Sequence, residues 1–149
     1  MTAYKCILVP TDGSRLSLKA ARAAATLAKD LQASIKAVYV MPSWSPPMMV
    51  DGTGLPAEAF DERAFNKSTE ATAQSALAKV EAIARKSRVK CETVALRDDD
   101  PWKGIVKAAK RCDLIAMASH GRTGVAAVIL GSETRKVLAN ATQPVLVFH

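Results

Sequence analysis

The chain has 149 residues, 49% of them hydrophobic and 23% charged, with a formal net charge of +7. This length suits one domain over residues 1–149, and no apolar run approaches the ~20 residues of a membrane-spanning helix, so no membrane partner is expected. The positive charge invites a nucleic-acid reading, but the basic residues are dispersed over helix faces and aromatics make up only 5%, so nucleic acid is not expected as a partner.

Met1-Thr2-Ala3-Tyr4-Lys5 runs directly into a strand and leaves no room for a signal peptide, which points to a cytoplasmic protein. Lys5 to Val9 is apolar without polar alternation, the pattern of a central parallel strand covered on both faces. It stops at Pro10-Thr11-Asp12-Gly13-Ser14. There Asp12 or Ser14 can cap a helix over Arg15 to Leu31, with Leu18, Ala21, Ala25 and Ala28 on one face. Asp12 thus falls at the carboxyl end of the first strand, where its local role is a cap or a turn.

Ser34 to Val40 reads as a second strand, ended by Met41-Pro42. Ser43 to Pro56, rich in proline and glycine, can continue neither sheet nor helix, and a loop of that length is either a functional lid or a disordered connection. Ala57 to Lys86 is helical in composition, with Ala73, Leu77, Val80, Ile83 and Ala84 at spacings that suit one face. Val89 to Leu96 alternates, as an edge strand does. The run Asp98-Asp99-Asp100 resembles a metal site, but Asp100 as N-cap before Pro101, opening a helix from Trp102 to Arg111, explains it more simply.

Next comes the stretch that carries the functional reading. Leu114 to Ala118 is an apolar strand, broken at Ser119-His120-Gly121 and followed, after Gly131-Ser132, by a helix over Glu133 to Ala141. A strand, a glycine-bearing loop and a helix start, in that order, are what an anion site on a parallel sheet requires. Glycine admits the anion to the backbone, and the free N–H groups of a helix start hold its charge. Pro144 to Phe148 reads as the last strand. Cys6, Cys91 and Cys112 show no CxxC spacing, and buried free thiols account for them more simply than metal or redox chemistry. Strands alternating with helices predict a doubly wound α/β domain, in which ligands sit beyond the carboxyl ends of the strands. Pro10-Thr11-Asp12, Val40-Met41 and Met117 to Gly121 are all such ends.

Together, the opening ILVPTDGS, the stretch DDDPWKGIVKAAKRCDLIAMASHGRTG and the ending ILGSETRKVLANATQPVLVF resemble the universal stress protein family, over essentially the whole chain. The resemblance implies a Rossmann-like five-stranded parallel sheet with helices on both faces. It also implies a homodimer, formed in many members through the last strand, here Val145, Leu146, Val147 and Phe148. ATP-binding members have a glycine, two residues, a glycine, nine residues, then Gly-Ser or Gly-Thr. Here Gly121, Arg122 to Leu130, and Gly131-Ser132 match, while Ala118 stands at the first glycine, where its methyl group costs little if φ is negative.

Carried over by resemblance, Pro10 and Thr11 would line the adenine end, Asp12 the ribose and phosphate region, and Val40 would offer backbone hydrogen bonds to adenine. Met117, Ala118 and Gly121 would line the nucleotide. Gly131, Ser132 and Glu133 would give backbone N–H groups to the phosphates, with the Ser132 hydroxyl, which is otherwise a helix N-cap. His120 and Arg122 are either phosphate ligands or loop residues holding a turn. Mg²⁺ would ride mainly on the phosphates, with Asp12 as the protein carboxylate at hand. The implied role is a nucleotide-dependent stress-response regulator with a protein partner of its own. The alternatives are a nucleotide-free interaction protein and a slow ATPase using Asp12 or His120 as base.

Overall fold

The structure is a computed structural model, and it describes residues 4–46, 61–120 and 130–149. Five parallel strands form one sheet: β1 (Cys6–Pro10), β2 (Ser34–Met41), β3 (Cys91–Arg97), β4 (Leu114–Ala118) and β5 (Val145–Phe148). They lie in the order β3-β2-β1-β4-β5, so the chain builds outward from β1 to one edge and then returns to build the other. The direction reverses between β1 and β4, the place where a doubly wound sheet opens a crevice.

Both faces of the sheet are covered, which is why β1 and β4 are apolar throughout. On one face Ile7, Val9, Ile35 and Ala37 pack with Leu114 and Ala116 against helices α1 (Arg15–Leu31) and α2 (Glu62–Lys86). On the other, Leu8, Val38, Ile115 and Met117 meet α3 (Pro101–Ala108) and α4 (Ser132–Asn140). Helix α1 presents Ala20, Ala21, Ala24, Ala25 and Ala28 to the sheet, all fully buried, so its backbone lies close against the strands. Ser14 caps it, its hydroxyl accepting from Ser17 N at 3.2 Å, and Asp12 instead shapes the preceding turn by accepting from Ser14 N at 2.9 Å. Gly13 closes that turn at φ 79°, a left-handed conformation that glycine adopts without strain.

The element boundaries expected from periodicity hold within a residue or two, and β3 is an edge strand. Two helix ends differ by more: α2 begins at Glu62, capped by Asp61, whose carboxylate accepts from Arg63 N at 2.9 Å and Ala64 N at 3.2 Å, and α3 ends at Ala108. Residues 47–60, with the end of the Ser43–Pro56 segment and the first residues expected of the Ala57–Lys86 helix, lie outside the described residues. Three local readings change. Cys6 and Cys112 are joined as a disulfide, and only Cys91 is free. Neighbouring strands bring the two cysteines together from distant parts of the chain, a proximity that their spacing does not reveal. Asp100 occupies the N-cap position of α3 with Pro101 behind it, but its side chain makes no cap bond; it pairs with Lys103 at 2.6 Å. Gly131, not Ser132, is the N-cap of α4, and Ser132 is the first helical residue. After α3 the chain tightens into a 3₁₀ turn at Ala109–Arg111.

Candidate functional site

At the carboxyl end of the sheet lies a crevice of about 490 Å³, within the range of small-molecule sites. Its walls come from the ends of β1 (Pro10, Thr11, Asp12), β2 (Val38 to Val40) and β4 (Met117, Ala118, His120), and from the first turns of α3 and α4. Of the residues expected to contact a nucleotide, all line this crevice except Gly121 and Arg122, which lie outside the described residues.

Each wall is positioned by a local cause. Thr11 is 6% exposed; its hydroxyl meets Ser17 Oγ at 3.0 Å and accepts from Gly13 N at 3.1 Å, which folds the turn back over α1. The last β1–β2 pairing is Pro10 with Val38, where Thr11 N donates to Val38 O at 2.9 Å. Alternate residues of a parallel strand address opposite neighbours, and Met41 O accepts from Asp98 N on the β3 side. Val40 therefore turns its backbone N–H and C=O toward the side from which β1 has already departed, at the crevice. These are a donor and an acceptor two atoms apart, suited to the edge of a planar heterocycle.

On the opposite wall, Ser119 is fully engaged through its backbone. Its N–H donates to Phe148 O at 2.8 Å, and its carbonyl accepts from Gly131 N at 2.7 Å. A Cβ at Gly131 would stand 3.1 Å from His120 Cα and Cβ, so glycine lets α4 begin directly against the Ser119–His120 segment. Buried Thr134 completes the junction, its hydroxyl donating to Ala118 O at 3.0 Å. Since the Gly131 amide is engaged, the amides that α4 offers an anion are those of its first turn, Ser132 and Glu133, which have no acceptor within the helix. Ala118 has no positive φ, so its methyl group is accommodated without backbone strain.

The His120 ring lies beside the crevice with Nδ1 at 3.0 Å from Ser119 Oγ, which fixes its orientation. Glu133 plays a second part through its side chain: Oε2 accepts from Trp102 N at 2.9 Å and Oε1 meets Lys136 Nζ at 3.2 Å. The carboxylate thereby caps the first turn of α3 from the first turn of α4, the capping that Asp100 leaves undone.

Sequence reasoning missed Thr134, the Glu133 side chain and Gly104, whose lack of a Cβ lets α3 lie directly against Val40 and Leu96 at the crevice wall. An isolated glycine within a helical pattern, which ordinarily destabilises a helix by ~1 kcal/mol, was the one available signal for Gly104.

The comparisons with known proteins agree on one grouping. The model of the universal stress protein family matches residues 3–149. Universal stress protein MJ0531 of Methanocaldococcus jannaschii is 40% identical over 146 residues, covering 97% of this chain and 81% of that one. Universal stress protein UspA from Lactobacillus plantarum superposes with a TM-score of 0.78 at 26% identity, covering 98% of each chain. A universal stress protein solved in complex with cAMP gives a TM-score of 0.70 at 22% identity, with 99% of this chain and 98% of that one covered, a likeness of fold. With nearly its whole length matched by family and relatives alike, the chain belongs to the universal stress protein family.

Proposed function

We propose that the crevice binds an adenine nucleotide, with ATP the form that its parts fit best, and that the protein acts as a nucleotide-dependent regulator. The observation that carries this reading is the convergence of two unlike recognition elements on one crevice. The unpaired backbone edge of Val40 suits a heterocycle, and the first turn of α4 suits an anion. Asp12 stands on the wall between strand end and helix start, where a ribose would be read. The ligand in the cAMP complex of the solved relative has the same adenine and phosphate chemistry.

ATP would bring Mg²⁺ on its phosphates, neutralising charge that Asp12 and Glu133 would otherwise repel. The residues of this chain hold and orient the ligand: Val40 at the base, His120 and Ser132 toward the phosphates. We further propose a homodimer through β5, which lies at one end of the sheet with Leu146 38% exposed, and an unpaired strand edge is a template for a second chain.

Isothermal titration of the full chain with ATP and Mg²⁺, alongside cAMP and GTP, tests the reading. Saturable binding of ATP or cAMP but not GTP supports it, and turnover measured in the same samples separates a regulator from a slow ATPase. No heat with either adenine nucleotide, and no shift of the thermal midpoint, would overturn it.

A further inference from the structure

We propose that Cys6 and Cys112 form a reversible thiol–disulfide site, exchanging with small thiols and disulfides through the Cys6 sulfur. The site lies at the amino ends of β1 and β4, the opposite end of these strands from the crevice, and does not depend on nucleotide binding. The two Cα atoms are 4.7 Å apart, within the span that a disulfide bridges.

What makes the pair a site, rather than two cysteines that meet, is that its framework stands without the sulfur bond. Asp113, next to Cys112, donates its N–H to Cys6 O at 2.9 Å. Its carboxylate oxygen Oδ2 accepts from Lys5 N at 2.8 Å and Cys6 N at 3.0 Å. These bonds hold both backbones in place in the reduced chain, so the thiols remain poised to close and the bond can open without unfolding the junction.

Access to the pair is one-sided. Cys112 is 6% exposed and packs with Leu8, Ile105 and Ile115, whereas Cys6 is half-buried. The exchange therefore runs through Cys6. In oxidation, the Cys6 thiolate attacks a small-molecule disulfide such as oxidised glutathione, releasing one thiolate. Cys112, giving up its proton, then attacks the Cys6 sulfur of the mixed disulfide and releases the second. One S–S bond breaks and one forms, and the two electrons and two protons pass to the two glutathione thiols. Reduction reverses these steps, slowly, because a buried thiolate is a poor leaving group. Cys91 does not compete. It starts β3, with β2 between it and β1, and burial, aided by the charge of Glu81, keeps its thiol protonated.

The experiment incubates the full-length protein in glutathione buffers of graded ratio, quenches with acid, denatures, alkylates and weighs the intact chain. Of the three cysteines, the oxidised chain should take one label and the reduced chain three, with the crossover inside the buffered range. Closing a loop over a separation of 106 residues should raise the thermal midpoint by roughly 10 °C over the reduced protein. Cys6→Ser should abolish that shift, while Cys91→Ser keeps it. The proposal fails if all three thiols label after oxidised glutathione, if a glutathione adduct persists in place of the internal bond, or if the pair stays closed at every ratio. The wild-type labelling decides the matter even if Cys6→Ser does not fold.

Discussion

Helix α3 approaches the sheet at Gly104, and replacing that glycine with alanine sets two known effects against each other. In an isolated helix Gly→Ala stabilises by about 1 kcal/mol. Here the added Cβ would stand 2.7 Å from Val40 Cγ2, 2.8 Å from Val40 Cγ1 and 2.8 Å from Leu96 Cδ1. Both γ-methyls of Val40 are in the way, so rotation about χ1 cannot clear the space, and a β-branched side chain has few other rotamers. The helix must lift by roughly 0.7 Å or more to bring these contacts back to about 3.5 Å, the near limit of ordinary carbon contact. Overpacking of this kind costs about 1–3 kcal/mol and outweighs the propensity gain. The expected net loss is about 1 kcal/mol, read as a lower urea midpoint at unchanged m, or a thermal midpoint lower by roughly 2–4 °C. Because Val40, Pro101 and Ile105 all line the crevice, the lift should also weaken adenine-nucleotide binding more than stability alone explains. A Gly104→Ala protein as stable as the parent, or more so, would refute the reasoning and mean that α3 does not press on β2 as described.

Two further perturbations probe the supports of the same architecture. Thr134→Val keeps the shape but deletes the hydroxyl that donates to Ala118 O; it should cost about 1 kcal/mol, with Thr134→Ser restoring most of it, and equal midpoints for all three proteins would show that the bond contributes nothing. Asp113 is held below the usual carboxylate range by the backbone N–H of Lys5 first, then that of Cys6. A carboxylate whose folded pKa is depressed stabilises the fold above its unfolded pKa, near 3.9, and that contribution disappears as pH falls through the lower folded value. Asp113→Asn should therefore lose stability at pH 7, by less than about 1 kcal/mol because the carboxylate is exposed, and should show a shallower decline below about pH 4. Urea midpoints that run parallel for the two proteins across that range would rule the contribution out.

What the sequence disclosed and what it hid divide along a physical line. Helix α1 was legible to its ends because Ser14, the alanine periodicity and the turn before β2 are local signals. The strands β1 and β4 were legible because burial on both faces leaves no polar residue to confuse the pattern. The wall residues at strand ends, Pro10, Thr11, Asp12, Val40, Met117 and Ala118, followed once those ends were recognised, since topology places ligands there, whereas Ile105 and Thr134 on the helices did not. Hidden were the features set by which elements become neighbours. The Cys6–Cys112 bond depends on β4 lying beside β1, and the Glu133–Trp102 bond on α4 starting beside α3. Asp100 shows the limit from the other side: its position as N-cap was readable, but its preference for Lys103 over the backbone amides was not.

The strand order also dictates a timetable for synthesis. Strand β1 finds β2 within some thirty residues, yet its other partner arrives only when Asp113, 107 residues beyond Cys6, and then β4 have been made. At about 5–20 residues per second, a nascent chain leaves that side of β1 uncovered for roughly ten seconds. During this interval Ile7, Leu8 and Val9 present an apolar, hydrogen-bonding edge at what later becomes the middle of the sheet. A segment fully buried in the finished protein thus spends its first seconds exposed and in need of protection on the ribosome.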